Sequence, residues 1–341
     1  MADHVKDTLP WIEKYRPDKL SDVILDEFVR QQINLFLPDN QEMNLIISGS
    51  PGIGKTSTAI CIAKEKLGDN FKEGFLEINA ADGSVSTVVP VFCKKKMSFE
   101  GMKIILLDEA DIMTTKSQSD VNSLIKQYKH STKFIITCND CSKIIQDLQS
   151  ECRMIHYKNL SNEQIKQYLE KVCKEEKLTY DKTSIETICT ISKGDMRKAI
   201  NSLQQTAYSY NNTITKSNIL KICKVPDPEL IKAILNLCGQ GRQEKNPPSG
   251  AKNEAKSNDE QKDKQLQEAI SKIEDLVHDG YYPQDIVTCM LAVLYNYDIS
   301  PELKIKLSVP LNEKLVNISK GIRTNIQLDA LICNLIMIMN P

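Results

Sequence analysis

The chain has 341 residues, a formal net charge of −1, 41% hydrophobic and 26% charged residues. That length holds about two to three domains of ordinary globular composition. The balanced charge excludes a global basic field, so any contact with nucleic acid has to come from local patches. No run approaches about 18 apolar residues, which excludes a membrane-spanning helix. The polar start Met1–Asp7 is not a secretory signal.

The first predicted element is Leu9–Pro17, which carries the only tryptophan and two prolines and reads as an extended, aromatic-anchored arm. Ile24–Leu37 predicts a helix broken by Pro38-Asp39-Asn40. Leu45–Ile47 is a short apolar run with the character of a buried strand. It is followed by Gly49-Ser50-Pro51-Gly52-Ile53-Gly54-Lys55-Thr56, the full G-x-x-x-x-G-K-[ST] pattern, and then Ser57. Thr58–Leu67 has apolar residues at helical spacing. Strand, glycine-rich turn and helix together make a phosphate cradle: glycines let the backbone approach an anion, and the helix N-terminus offers unpaired N–H groups. In such a cradle Lys55 reaches the β- and γ-phosphates of ATP and Thr56 gives a hydroxyl to Mg²⁺.

Phe75–Asn79 predicts a second strand and Ala80–Ser84 a turn. Val85–Cys93 is ambiguous, because Pro90 interrupts a helix there. Ile104–Leu107 is an apolar strand ending in Asp108-Glu109, Val121–Tyr128 a helix, and Phe134–Thr137 a further buried strand leading to Cys138 and Asn139. Strands apolar on both faces, alternating with helices, predict a parallel α/β sheet. After residue 157 the predicted strands stop. Asn162–Glu176, Ser184–Ser192, Asp195–Tyr208 and Ser217–Cys223 predict a small helical domain, bounded by Val225-Pro226-Asp227-Pro228. Ser161 opens the first of these helices in a near capping box. A third, all-helical region follows: Glu229–Cys238, Leu266–Asp279, Gln284–Asn296, Leu303–Ser308, Leu311–Lys320 and Ile326–Met339. Within it Gln240–Lys264 has no residue able to build a core and predicts a disordered insert. The expected domains are therefore 1–157, 158–225 and 226–341.

Chemistry gathers at a few positions. Asp108 stands where a magnesium-side acid follows a strand, and Glu109 where a general base polarises the attacking water. Asn139 ends a strand whose carboxyl end faces the same crevice as the phosphate loop. Its amide either orients water beside the γ-phosphate or simply makes a turn. Gly194-Asp195-Met196-Arg197 opens a helix capped by Asp195. Arg197, a cation in a first turn, opposes the helix dipole, which points to an anionic partner or else to a solvated arginine. The eleven cysteines are scattered, and most sit in apolar patterns, as Cys61, Cys189 and Cys333 do; they read as reduced core residues of an intracellular protein. Cys138-x-x-Cys141 has metal-ligand spacing, but no second pair complements it.

Taken together the motifs resemble the small subunits of replication factor C, the clamp loaders of the AAA+ ATPases. The resemblance is carried by Leu9–Pro17, Gly49–Thr56, Leu106–Asp111, Phe134–Asp140, Gly194–Asn201 and Gly280–Ile286. It implies an α/β P-loop (AAA+) domain with a parallel sheet, a helical lid and an all-α collar. It also implies assembly into a hetero-pentamer that uses ATP and Mg²⁺ to open a sliding clamp on primer–template DNA in the nucleus. By the family pattern Tyr15, Arg16 and Pro17 border the adenine, Asn139 is the first sensor and Arg197 the second.

Three departures stand beside it. The family's Ser-Arg-Cys, whose arginine serves the neighbouring subunit's ATP, reads Ser150-Glu151-Cys152 here, and Arg153 points to the other face if the segment is extended. Ser84 and Pro90 stand where arginines are usual, and Asn122, Ser123 and Lys126 replace an Arg-Arg pair and a glutamate. Lys94, Lys95, Lys96 and Lys126 are either compensating phosphate contacts or solvated lysines. Two other readings compete: a ring scaffold that binds nucleotide but barely hydrolyses it, and a different AAA+ remodeller.

Overall fold

The computed structural model describes residues 9–37, 43–99, 101–239, 254–322 and 325–339. The chain divides into two compact units, Met1–Lys216 and Ser217–Pro341. In the first, α1 (Trp11–Lys14) and α2 (Glu27–Phe36) precede β1 (Asn44–Ser48). Next come α3 (Lys55–Leu67), α4 (Phe71–Gly74), β2 (Phe75–Asn79), α5 (Val85–Lys94) and β3 (Lys103–Asp108). They are followed by α6 (Thr115–Tyr128), β4 (Thr132–Cys138), α7 (Gln146–Ser150) and β5 (Cys152–His156). The five strands form one parallel sheet in the order β2-β3-β4-β1-β5. Register pairs Leu45 with Ile135 and with Arg153, and Ile105 with Phe134.

Alternation along the strands divides the core between the two faces of the sheet. Leu45, Ile47, Ile104, Leu106 and Ile135 pack against Val29, Ile33 and Phe36 of α2 and Ala59, Ile62 and Ala63 of α3. Ile46, Ile105, Leu107, Phe134 and Ile136 pack against Val89 of α5, Val121 and Ile125 of α6, and Leu148 of α7. Covering both faces is what a parallel sheet of uninterrupted apolar strands requires.

Helices then dominate: α8 (Asn162–Glu175), α9 (Lys182–Ser192) and α10 (Met196–Ser209), with α11 (Lys216–Cys223) at the boundary between the units. The Ser161–Gln164 capping box opens α8 with both of its hydrogen bonds made. In the second unit α12 (Pro228–Gly239), α13 (Glu254–His278), α14 (Pro283–Asn296), α15 (Pro301–Ser319) and α16 (Asn325–Met339) enclose a core that includes Ile234, Ile273, Met290, Leu307 and Leu331.

The structure departs from the sequence reading in several places. The arm is not wholly extended, since Trp11–Lys14 makes one helical turn with Trp11 buried. Helix α5 runs through Pro90, its burial of Val85, Val89 and Cys93 outweighing the one backbone bond that proline forfeits. Similarly, α15 runs through Pro310 as one helix where two were expected, because Leu303, Leu307 and Leu311 keep one face buried across it. Strand β5 carries Arg153 and His156 and has no apolar run to announce it, yet it completes the sheet beside β1. A two-stranded parallel pair, β6 (Thr179–Tyr180) with β7 (Thr213–Ile214), lies among the helices where no strand was expected. Glu254–Lys264, expected in the disordered insert, instead forms the first turns of α13, extending a helix whose later turns are anchored by Ala269, Ile273 and Leu276. Met1–Asp7, the break at 38–40 and the remainder of that insert, 240–253, lie outside the described residues.

Asn44 is buried at the start of β1. Its side chain accepts from the Phe134 N–H at 2.9 Å and donates to the Glu151 carbonyl at 3.3 Å, so it ties β4 and the entry to β5 together. Asn44→Ala strands a buried donor, and chemical denaturation of the first unit should show a loss of about 1–3 kcal/mol.

Candidate functional site

The phosphate-loop sequence occupies the turn from β1 to α3. Gly54 (φ 96°) precedes the first residue of α3, Lys55. Because β1, β3 and β4 are adjacent and parallel, their carboxyl ends bring together groups distant in sequence. Lys55 Nζ is buried and donates to the Gly49 carbonyl (2.8 Å), the Ser50 carbonyl (2.8 Å) and Asn139 Oδ1 (2.9 Å). Burial lowers the Lys55 pKa from its ordinary value, the Asp108 carboxylate opposes this, and Arg197 adds a lesser like-charge push downward. Thr56 Oγ1 lies 3.0 Å from both carboxylate oxygens of Asp108.

Thr137, fully buried in β4, donates its hydroxyl to Asp108 and accepts from the Glu109 N–H at 3.2 Å. Glu109 itself is exposed at the cleft with a left-handed backbone (φ 58°). Asn139 accepts Lys55 through its side chain, while its N–H donates to Asp111 at 3.1 Å. This amide is thus aimed at the phosphate loop; it is not spent on a local turn.

The helix opened by Asp195 closes the other side. The Met196 N–H donates to the Gly52 carbonyl at 3.0 Å, so the start of α10 is bonded directly to the phosphate loop. Asp195 caps the same helix through the Lys198 N–H at 3.0 Å. A Cβ at Gly52, where φ is +72°, would stand 1.8 Å from Asp195 Oδ1, so both the backbone conformation and this approach demand glycine.

These elements surround a cleft of about 450 Å³, within the size range of small-molecule sites. Of the residues read from the sequence as the site, only Gly49 does not line it: Tyr15, Arg16, Pro17, Pro51–Ser57, Asp108, Glu109, Asn139 and Arg197 all do. Gly49 lies beneath, its N–H donating to the Cys138 carbonyl at 3.3 Å.

The sequence reading missed the apolar wall formed by Ile12, Ile24, Leu160, Met196 and Ile200, and also Glu77, whose pKa burial raises and Arg16 holds down. Nothing in the spacing of isolated apolar residues marks them. The Cys138 and Cys141 sulfurs lie 3.8 Å apart beside the cleft, and burial raises the Cys138 pKa. At the departures from the family pattern, Glu151 lies 3.4 Å from Lys126 Nζ across exposed surface. Arg153, in the extended β5, turns to Gln32 of α2. Lys94, Lys95 and Lys96 are exposed at the end of α5, and Asn122 is buried.

A phosphate loop, a strand-end acid pair and a helical lid bonded to the loop define a nucleotide-binding P-loop ATPase fold. Comparison agrees: residues 45–160 match the ATPase family associated with various cellular activities (AAA). Residues 167–208 match the RCF1/5-like AAA+ ATPase lid domain, and 258–334 the replication factor C C-terminal domain. A replication factor C small subunit of Acanthamoeba polyphaga mimivirus is 50% identical over 96% of this chain and 97% of its own length. Replication factor C subunit 4 of Schizosaccharomyces pombe is 32% identical over 96% and 91%, and the small subunit of Methanococcus maripaludis C6 is 31% identical over 96% and 98%. Among solved structures, a point variant of Thermotoga maritima RuvB superposes with a TM-score of 0.52 at 16% identity, covering 78% of this chain and 89% of that one, which speaks for the fold alone. The chain belongs to the replication factor C small subunits, within the AAA+ clamp loaders.

Gly52→Ala should part α10 from the loop without unfolding the sheet. Hydrogen exchange at the Met196 amide should quicken by about tenfold or more while that of β1 and β4 is unchanged; an unaltered Met196 rate would contradict this reading of the contact.

Proposed function

We propose that this chain binds ATP with Mg²⁺ and hydrolyses it as one subunit of a hetero-pentameric clamp loader. Its task is to help open a sliding clamp and place it on primer–template DNA in replication and repair. The observation that carries the reading is the convergence of Lys55, Thr56, Asp108 and Asn139 at the ends of three adjacent strands. The full-length relatives support the clamp-loader setting. The eukaryotic ones support a nuclear location, on which the viral relative is silent. In this reading residues 1–157 are the ATPase, 158–225 the lid and 226–341 the collar, a division supported by the three matched ranges. No helix among the described residues is long and apolar enough to cross a membrane.

The residues suit the chemistry. The loop amides from Gly52 to Ser57, at the turn into α3, receive the phosphates, with Lys55 on their β and γ oxygens. Thr56 and Asp108 present the hard oxygen donors that suit Mg²⁺ and already share one small space, so they would hold it. When bound, the ion neutralises charge on the phosphate oxygens. Glu109 accepts the proton of the attacking water as general base. Its backbone is fixed for this by Thr137. Asn139 and Arg197 read the γ-phosphate from the sheet and from the lid, and Tyr15, Arg16 and Pro17 border the adenine.

Two expected outcomes test this. Lys55→Ala abolishes Mg²⁺-dependent ATP binding in an equilibrium titration, whereas Glu109→Gln binds ATP normally and loses about 10²–10⁴-fold in turnover. Undiminished binding by Lys55→Ala would refute the site. The second test concerns the neighbouring subunit. Glu151, where the family has an arginine, cannot neutralise a phosphate charge, so Glu151→Arg should raise the ATPase rate of the assembled ring several-fold with clamp and primed DNA. An unchanged rate would mean that the neighbouring site is silent or that this chain sits at the open end of the ring, and would favour the scaffold reading.

A further inference from the structure

The arm that carries Tyr15 is fastened to the lid helices. The Trp11 N–H donates to Gln204 Oε1 of α10 at 3.1 Å, and its ring meets Tyr208 edge-on with centroids 5.8 Å apart. The Tyr168 hydroxyl of α8 donates to the Tyr15 carbonyl. At the centre lies Glu176, which ends α8: its Oε1 accepts the Tyr15 hydroxyl at 2.6 Å and faces Lys14 Nζ at 2.8 Å. Beyond Arg16 the fastening changes. The Pro17 carbonyl accepts from Cys61 Sγ at 3.3 Å, and Asp18 pairs with Lys64 at 2.8 Å, both on α3.

The placement of Glu176 is otherwise unfavourable. A carboxylate at a helix C-terminus faces the negative end of the dipole. Here Lys14 supplies the opposing charge and Tyr15 a short charge-assisted hydrogen bond, with the Glu176 side chain 19% exposed. The pairing also marks Tyr15, whose pKa is raised by burial and by its bond to Glu176.

We propose that Glu176 is a positioning residue. By pinning Tyr15 it builds the base-recognising end of the cleft on the lid, while the phosphate end is built on the sheet. Ile12 and Tyr15 of the arm stand with Tyr168 and Ile200 of the lid around that end. The base-recognising end and the lid are then joined through this one contact. The inference rests on the reading of the cleft as an ATP site, and it names the residue that ties the base to the lid.

The test uses the full-length chain, titrated calorimetrically with ATP and, separately, with tripolyphosphate, which has the phosphates but no base. Glu176→Ala should weaken ATP about tenfold, the scale of one lost charge-assisted hydrogen bond, and leave tripolyphosphate unchanged. Glu176→Gln keeps an acceptor for the Tyr15 hydroxyl but not the ion pair and should fall between. Tyr15→Phe combined with Glu176→Ala should be no weaker than Glu176→Ala alone. Equal loss for both ligands would mean that Glu176 supports the fold generally, and unchanged ATP affinity would mean that it pins nothing; either overturns the proposal while the ATP reading stands on the wild-type titration. A wild-type chain that binds neither ligand overturns both.

Discussion

The adjacency of three parallel strands is the constraint on which everything else here depends. A strand that is apolar on both faces must be buried on both faces, and its polar functional residues can appear only at its end. Since β1, β3 and β4 run in the same direction side by side, those ends coincide. Lys55 and Asn139, 84 positions apart, are thus hydrogen-bonded to each other, as are Thr56 and Asp108. Burial then raises the stakes. A lysine that is desolvated, with a depressed pKa, and held by two loop carbonyls and an amide is poised for an anion that can repay its lost hydration.

The lid is joined to this centre by backbone as well as by side chains. The bond from Met196 to Gly52, the close approach of Asp195 and the left-handed backbone at φ +72° together favour glycine there. Arg197, one residue further on, is carried to the cleft by that contact. A cation in a first helical turn works against the helix dipole; here it is exposed at the rim of the cleft. Glu176 stands at the opposite kind of helix end, an ill-placed charge explained by what it reaches.

The departures from the family pattern lie outside this cleft. Glu151 and Lys126 lie beside each other as an exposed pair, an arrangement that contributes little to stability. The residues that line the cleft itself match the family pattern.

Sequence by itself determined the elements whose cause is local. The glycine-rich pattern, the acids after an apolar strand, the cap at Ser161 and the periodic helices were all legible, because each is set by spacing along a few residues. The sheet could be foreseen as parallel from strands apolar throughout. Tertiary structure decided what depends on distant partners. Strand β5 has no apolar run and exists because β1 offers it an edge. Helices α5 and α15 pass through Pro90 and Pro310 because packing on either side outweighs one missing hydrogen bond. Thr137, Glu176 and the apolar wall of the cleft carry no pattern of their own. Their roles arise only where folding sets Thr137 against Asp108, and Glu176 against Tyr15 across 161 positions of chain, since a contact between distant residues leaves no periodic trace in the sequence that makes it.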